Sequence, residues 1–184
     1  MKVVGIVGSP RRNGNTDTLV RAILEGAQSR NAETQTFHLN EMTIRGCQGC
    51  DYCKEHGACR LDDDMRTLHR VVEQADAVVI GSPIYAAHVS AQTKLFLDRC
   101  YAFLDANMQS RLPEGKKFVM VYTYGDPGDR AYEGVVASVE NMINWFKPAY
   151  VNSIVYPGTT DKGSAARDSA FLKRARRIGE QLAE

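Results

Sequence analysis

The chain has 184 residues, 43% of them hydrophobic, enough to bury one core without disulfides. Lys+Arg 23 against Asp+Glu 22 leaves a net charge of +1, which gives no electrostatic reason to expect nucleic acid or an anionic membrane as partner. No apolar stretch nears the roughly 20 residues of a membrane span, and the opening MKVVGIVGSP lacks the length and cleavage site of a signal peptide, so a cytoplasmic protein is expected.

Taken in chain order, Lys2–Gly8 is a nearly continuous β-branched run, the pattern of a strand buried on both faces. Thr16–Arg30 predicts a helix with Leu19, Val20, Ile23, Leu24 and Ala27 on one face. A second strand fits Thr34–Leu39. Asn40–Leu61 carries neither period and is expected to be a loop or a short broken helix. Asp63 and Asp64 suit the start of a helix whose Met65, Leu68, Val71 and Val72 face inward. Ala75–Ser82 is the third strand, Ser90–Leu104 a helix, Lys117–Tyr124 a strand, Tyr132–Phe146 a helix and Tyr150–Tyr156 the last strand. A closing helix aligns Phe171, Ala175, Ile178 and Leu182. Five strands separated by helices predict an α/β fold, with a five-stranded parallel sheet covered on both sides. Of the two common doubly wound orders, five strands favour 2-1-3-4-5. With no linker or repeat, residues 1–184 form a single expected domain.

Gly8-Ser-Pro-Arg-Arg-Asn-Gly-Asn-Thr16 joins the first strand to the first helix. A helix N-terminus offers unpaired N–H groups and partial positive charge to an anion. Ser9, Asn13, Asn15 and Thr16 add short polar side chains, Gly14 permits close approach, and Arg11 and Arg12 supply charge. The segment matches neither G-x-x-x-x-G-K-[ST] nor G-x-G-x-x-G, so a single phosphomonoester fits better than a triphosphate or a dinucleotide. An ordinary polar turn is shorter, usually about 2–6 residues. Gly81-Ser82-Pro83-Ile84-Tyr85-Ala86 ends the third strand, next to the first at the switch point. Pro83 stiffens a backbone whose N–H and C=O groups can meet the polar edge of a flat heteroaromatic ring, and Tyr85 can border it. Thr123-Tyr-Gly-Asp126 ends the fourth strand on the same edge.

GSPRRNGNT, ADAVVIGSPIYAAHVSAQTKLFLDR and the late Tyr124-Gly125 together resemble the NAD(P)H-dependent FMN reductase and flavodoxin-like oxidoreductase superfamily across essentially the whole chain. The resemblance implies a flavodoxin-like three-layer fold and bound FMN. It assigns the FMN phosphate to Ser9, Arg11, Asn13, Asn15 and Thr16. Ser82, Pro83, Ile84 and Tyr85 would line the isoalloxazine ring, with Tyr124 and Gly125 nearby. Many relatives carry Ser at the position of Gly14.

Cys47, Cys50, Cys53 and Cys59 form a C-x2-C-x2-C-x5-C run within residues 46–60. Thiols three residues apart can converge on one side of a tight loop, and the longer gap lets a fourth return. Bacterial ferredoxin spacing is the nearest comparison; paired C-x2-C zinc spacing fits less well. Free or redox-active thiols and zinc stay open on spacing alone. The run together with Asp62-Asp-Asp-Met65 closely resembles the iron-sulfur flavoproteins, which implies a [4Fe-4S] cluster on the four thiolates. Cys100, in an apolar helix, reads as a buried structural thiol. His38 and His69 read as surface or rim residues, and Asp62–Asp64 as a helix cap.

The function expected is an oxidoreductase without an essential side-chain acid or base, in which FMN takes electrons from NAD(P)H or a ferredoxin-like donor. Electrons would leave through the cluster to a small-molecule or protein acceptor. A cluster-free FMN, quinone or nitro reductase is the alternative, and a non-catalytic redox sensor or metal-binding regulator the rival of another class. The resemblance also implies a homodimer or homotetramer.

Overall fold

The structure, a computed structural model, describes residues Met1 to Glu184. The chain runs β1 (Lys2–Val7), α1 (Asn15–Gln28), β2 (Glu33–His38), α2 (Tyr52–His56), α3 (Met65–Gln74), β3 (Ala77–Tyr85) and β4 (His88–Val89). It continues through α4 (Ala91–Arg99), β5 (Lys117–Thr123), α5 (Glu133–Asn144), β6 (Tyr150–Tyr156), α6 (Ser164–Arg167) and α7 (Ser169–Leu182). The five expected parallel strands lie in the order β2-β1-β3-β5-β6. The sheet has six strands rather than five, because the two-residue β4 pairs antiparallel with Ile84–Tyr85.

Alternation along the strands divides the core in two. Val4, Ile6, Val78, Ile80, Phe118 and Met120 face one cluster with the inward residues of α3, α4 and α5. Val3, Val7, Val79, Val119 and Val121 face the other, against α1 and α7. Both faces are covered, so the inner strands read as continuous apolar runs. The helices α1 and α7 touch backbone to backbone: a Cβ added at Gly179 would lie 1.8 Å from the Ile23 carbonyl oxygen, and one at Gly26 would lie 1.9 Å from that of Arg176. No helix is long and apolar enough to cross a membrane.

β3 runs past its expected end at Ser82 to Tyr85. Proline is tolerated there because the pairing with β1 stops at Gly81, while Pro83 still pairs in register with Thr123 of β5. The chain then reverses through Ala86 and Ala87, both left-handed at φ 46 and 62, the geometry of a two-residue hairpin.

Candidate functional site

The carboxyl ends of β1, β3 and β5 enclose a cavity of about 260 Å³. Ser9, Arg11, Gly14, Asn15 and Thr16 line it from the loop before α1, and Pro83, Ile84 and Tyr85 from the end of β3. Thr123, Tyr124 and Gly125 close the third side, and Thr159, Thr160 and Lys162 the fourth. Nine of the eleven residues expected around a cofactor thus meet at one place. The exceptions are Asn13 and Ser82. Asn13 takes a left-handed φ of 55 and donates its N–H to Asp17 Oδ2 at 2.7 Å, which shapes the loop from behind. The Ser82 hydroxyl is fully buried, donates to the Pro83 carbonyl at 2.9 Å, and accepts from Ser90 N at 3.1 Å and Thr93 Oγ1 at 2.9 Å.

That hydroxyl network is the platform of the site. Ser90 caps α4, accepting from Thr93 N at 3.2 Å, and its own hydroxyl donates to the Gly8 carbonyl at 2.7 Å. Gly8 N–H in turn reaches the Gly81 carbonyl at 2.8 Å, so the last residues of β1 and β3 and the start of α4 are locked together. A Cβ at Gly8 would strike Thr93 Oγ1 at 1.8 Å. Thr16 and Thr123 share a hydroxyl hydrogen bond of 2.7 Å between α1 and β5. Asn15 ties the loop to the segment after β6, donating to the Asp161 carbonyl at 2.7 Å and accepting from Ala165 N at 3.0 Å. The Tyr124 hydroxyl is turned away, toward the carbonyls of Gly128 and Asp129 at 3.0 and 2.9 Å.

Sequence reasoning missed Thr159, Thr160 and Lys162. They lie after β6, where no period or motif marks them. The available signal was topological, since a loop leaving the same sheet edge must pass the switch point.

The cysteine loop lies on the segment Cys100–Leu104. Cys47, Cys50, Cys53 and Cys59 all line one small cavity of about 20 Å³ beside Tyr101. Left-handed residues at Gly49, Asp51 and Gly57 wind the loop around α2. Two cations dock it. Lys54 Nζ donates to the Tyr101 and Leu104 carbonyls at 3.0 and 2.8 Å and sits 3.4 Å from the Tyr101 ring centre. Arg111 donates to the carbonyls of Cys53 at 2.9 Å and Lys54 at 3.1 Å. The thiols nevertheless do not close on one point: no group of three or more His, Cys, Asp or Glu side chains stands in metal-holding geometry. Cys47 and Cys50 are exposed, Cys53 is buried, and burial is the main cause that pushes the Cys53 thiol pKa up.

Two local expectations need correcting. Asp63 does more than cap a helix. Its carboxylate accepts Met65 N at 3.1 Å and Arg45 N at 3.0 Å, and forms a buried fork with Arg99 at 2.7 and 3.0 Å. His69 is half-buried at the edge of a groove, its Nε2 meeting the Arg99 carbonyl at 3.0 Å and its ring standing edge-on to Phe103 at 5.1 Å. His38, expected at the surface or rim, is nearly buried, with Nε2 at 3.9 Å from Asp17 Oδ1. Cys100 is buried, as expected.

A larger groove of about 850 Å³ runs from Cys47 past Tyr101 to Met142 and Trp145 of the α5 end, and reaches His88. His88 is the register partner of Tyr85, which lines the first cavity. The two sites therefore share one edge of the molecule.

A doubly wound sheet with a hydroxyl-lined loop at a helix N-terminus on its switch point defines a flavodoxin-like, mononucleotide-binding class of protein. The chain belongs to the NADPH-dependent FMN reductase family, whose model matches residues 1–161. It is an FMN-dependent oxidoreductase. It is 31% identical over 197 residues to an iron-sulfur flavoprotein of Methanocaldococcus jannaschii, a match covering 100% of this chain and 96% of that one. It is 42% identical over 99 residues to an iron-sulfur flavoprotein of Archaeoglobus fulgidus, covering 54% of this chain and 45% of the relative, so about half of that protein lies outside the match. Among solved structures, an NAD(P)H:quinone oxidoreductase from Methanothermobacter marburgensis superposes with a TM-score of 0.79 at 20% identity, over 100% of this chain and 98% of the other. That likeness is one of fold.

Proposed function

We propose that the cavity at the ends of β1, β3 and β5 holds FMN, and that the protein passes electrons from a nicotinamide donor through it to an acceptor by way of the cysteine loop. The observation that carries this reading is the meeting of loop hydroxyls, two cations and the rigid Pro83–Tyr85 segment around one cavity. The residues fit the group. Ser9, Asn15 and Thr16 offer neutral donors to a phosphate, Arg11 and Lys162 offset its charge, and the first turn of α1 adds N–H groups without helical partners. Pro83, Ile84 and Tyr85 hold the ring edge against fixed backbone groups, with Gly125 opposite. FMN when bound accepts a hydride equivalent and releases its electrons singly or as a pair. The chain binds, orients and shields it, and no side chain is required as an acid or base.

A hydrogen bond to a charged group contributes about 1.5–3 kcal/mol. Lys162→Ala and Arg11→Ala should therefore each weaken FMN binding about tenfold or more, read by flavin fluorescence titration of stripped protein. Unchanged affinity in both variants would remove the phosphate from this cavity.

In the same reading Cys47, Cys50, Cys53 and Cys59 hold a [4Fe-4S] cluster. Support comes from the relatives' names and from a donor set of four thiols on one enclosed cavity. Binding requires the exposed Cys47 and Cys50 side chains to turn inward. Iron and sulfide assays on anaerobically purified protein test it. Cys50→Ser should then lose iron and keep FMN. The second reading, a cluster-free FMN reductase passing hydride to a small acceptor, is favoured by the open arrangement of the thiols. Full FMN without iron selects it.

A further inference from the structure

Asp17 follows Asn15 and Thr16 in the first turn of α1, directly behind the wall of the cavity at the ends of β1, β3 and β5. Its side chain is 3% exposed. Oδ2 accepts the Asn13 N–H at 2.7 Å and holds that residue at its left-handed φ of 55. An acidic side chain reaching back from the third helical position is an ordinary way to start a helix. The other oxygen has no such role. Asp17 Oδ1 is buried and has no hydrogen-bond partner. Two side-chain nitrogens stop short of it, Arg21 Nε at 3.8 Å and His38 Nε2 at 3.9 Å. A buried carboxylate oxygen without a donor is costly, and each such atom needs a reason.

His38 ends β2 and is the register partner of Val7, the residue before the loop Gly8–Gly14. Its ring is 10% exposed. Burial holds it below its ordinary pKa, although Asp17 and Glu41 favour the proton; Arg12 and Arg21 oppose it, and Arg12 and Glu41 are paired with each other. A phosphomonoester in the cavity adds about two negative charges at the same helix end. Phosphate and Asp17 carboxylate then draw on one N-terminal partial charge. A proton on His38 offsets both, and it supplies the donor that Oδ1 lacks.

We propose that Asp17 is the positioning residue of the loop before α1, holding Asn13 through one oxygen, and that binding of a phosphomonoester is coupled to uptake of a solvent proton by His38, which then donates to the other. This rests on the reading that the cavity takes the FMN phosphate. In the free protein His38 loses its proton below pH 6.5, and in the bound protein it keeps it to higher pH. Between those limits binding takes up a proton, so affinity rises on acidification. The ligand works the other way. Its second phosphate pKa is about 6, so FMN bound as the dianion releases a proton at acidic pH. His38→Gln separates the two, because it keeps a neutral donor near Asp17 and the ligand's release but lacks the uptake.

The test uses full-length protein stripped of flavin and titrated with FMN at pH 6, 7 and 8 by flavin fluorescence. Protons exchanged on binding are measured at pH 7 by calorimetry in two buffers of different ionisation enthalpy. Wild type should take up about half a proton more than His38→Gln, and its affinity relative to that variant should grow about threefold or more from pH 8 to pH 6. Asp17→Ala frees the Asn13 N–H and should weaken FMN binding about tenfold. Asp17→Asn keeps an acceptor for Asn13, so it should restore the affinity at pH 8 while lacking the extra proton uptake. Should Asp17→Ala fail to fold, Asp17→Asn and His38→Gln decide. Equal proton exchange and parallel pH profiles in wild type and His38→Gln overturn the coupling, and wild-type affinity in Asp17→Ala overturns the positioning role. Both results leave the FMN reading standing. Wild-type protein that binds riboflavin as tightly as FMN overturns the phosphate reading itself, and this inference with it.

Discussion

His69 lies behind the cysteine loop, between the Arg99 carbonyl and the Phe103 ring. Burial, the largest influence, holds its pKa below the ordinary 6.5, and burial does the same to His38. The unfolded chain therefore binds protons at a higher pH than the folded one. Between 6.5 and the lower folded values, stability rises with pH and falls on acidification. The urea midpoint should drop from pH 7.5 to pH 5.5, and His69→Gln should flatten that slope; a midpoint that rises on acidification would contradict the assignment. Asp63 carries a separate cost. Deleting its carboxylate strands the buried Arg99 charge, and Asp63→Ala should lose about 3–5 kcal/mol in equilibrium unfolding.

At the scale of the element, the β3–β4 hairpin is the part of the candidate site most at odds with its residues. Ala86 and Ala87 both stand at positive φ, where a Cβ costs roughly 1–2 kcal/mol per residue. Ala86→Asn with Ala87→Gly should raise stability by about 1 kcal/mol or more, measured by thermal or urea unfolding. Asn-Gly would have announced the hairpin in the sequence; Ala-Ala hid it, and β4 with it. α3 illustrates another device not visible locally. Lys116, the residue before β5, buries its ammonium against the carbonyls of Val72, Glu73 and Ala75 at the α3 end, although burial lowers its pKa. Nothing near Gln74 in the sequence signals a cap that arrives from 42 residues downstream.

For the whole molecule, the contact of α1 with α7 sets how the first helix, and so the loop at its start, sits on the sheet. Gly26 and Gly179 allow the two backbones to meet. Overpacking costs about 1–3 kcal/mol, so Gly179→Ala should destabilise by at least that much. It should also weaken FMN binding although it is remote from the cavity, because α1 must move. Normal flavin affinity at reduced stability would show that the loop is held by Asn15 and Thr16 instead.

The buried strands were legible because a two-sided parallel sheet demands uninterrupted apolar runs, and Lys2–Val7 and Ala77–Ile80 comply. The loop before α1 was legible as a cavity wall because a helix start needs polar, flexible residues in a fixed order, and Ser9–Thr16 shows them. The four-cysteine run marked by its spacing the loop whose four cysteines line one small cavity. What the local pattern could not carry is anything made by residues far apart. Lys162 joins the loop cavity across 146 residues through Asn15 and Asp161. Ser82 leaves the cavity because Ser90 and Thr93 claim its hydroxyl. Asp63 adds a buried fork with Arg99 to its bond with the first N–H of α3. Each choice is made by hydrogen-bond satisfaction in a buried space, and that space exists only once the sheet and its helices have packed.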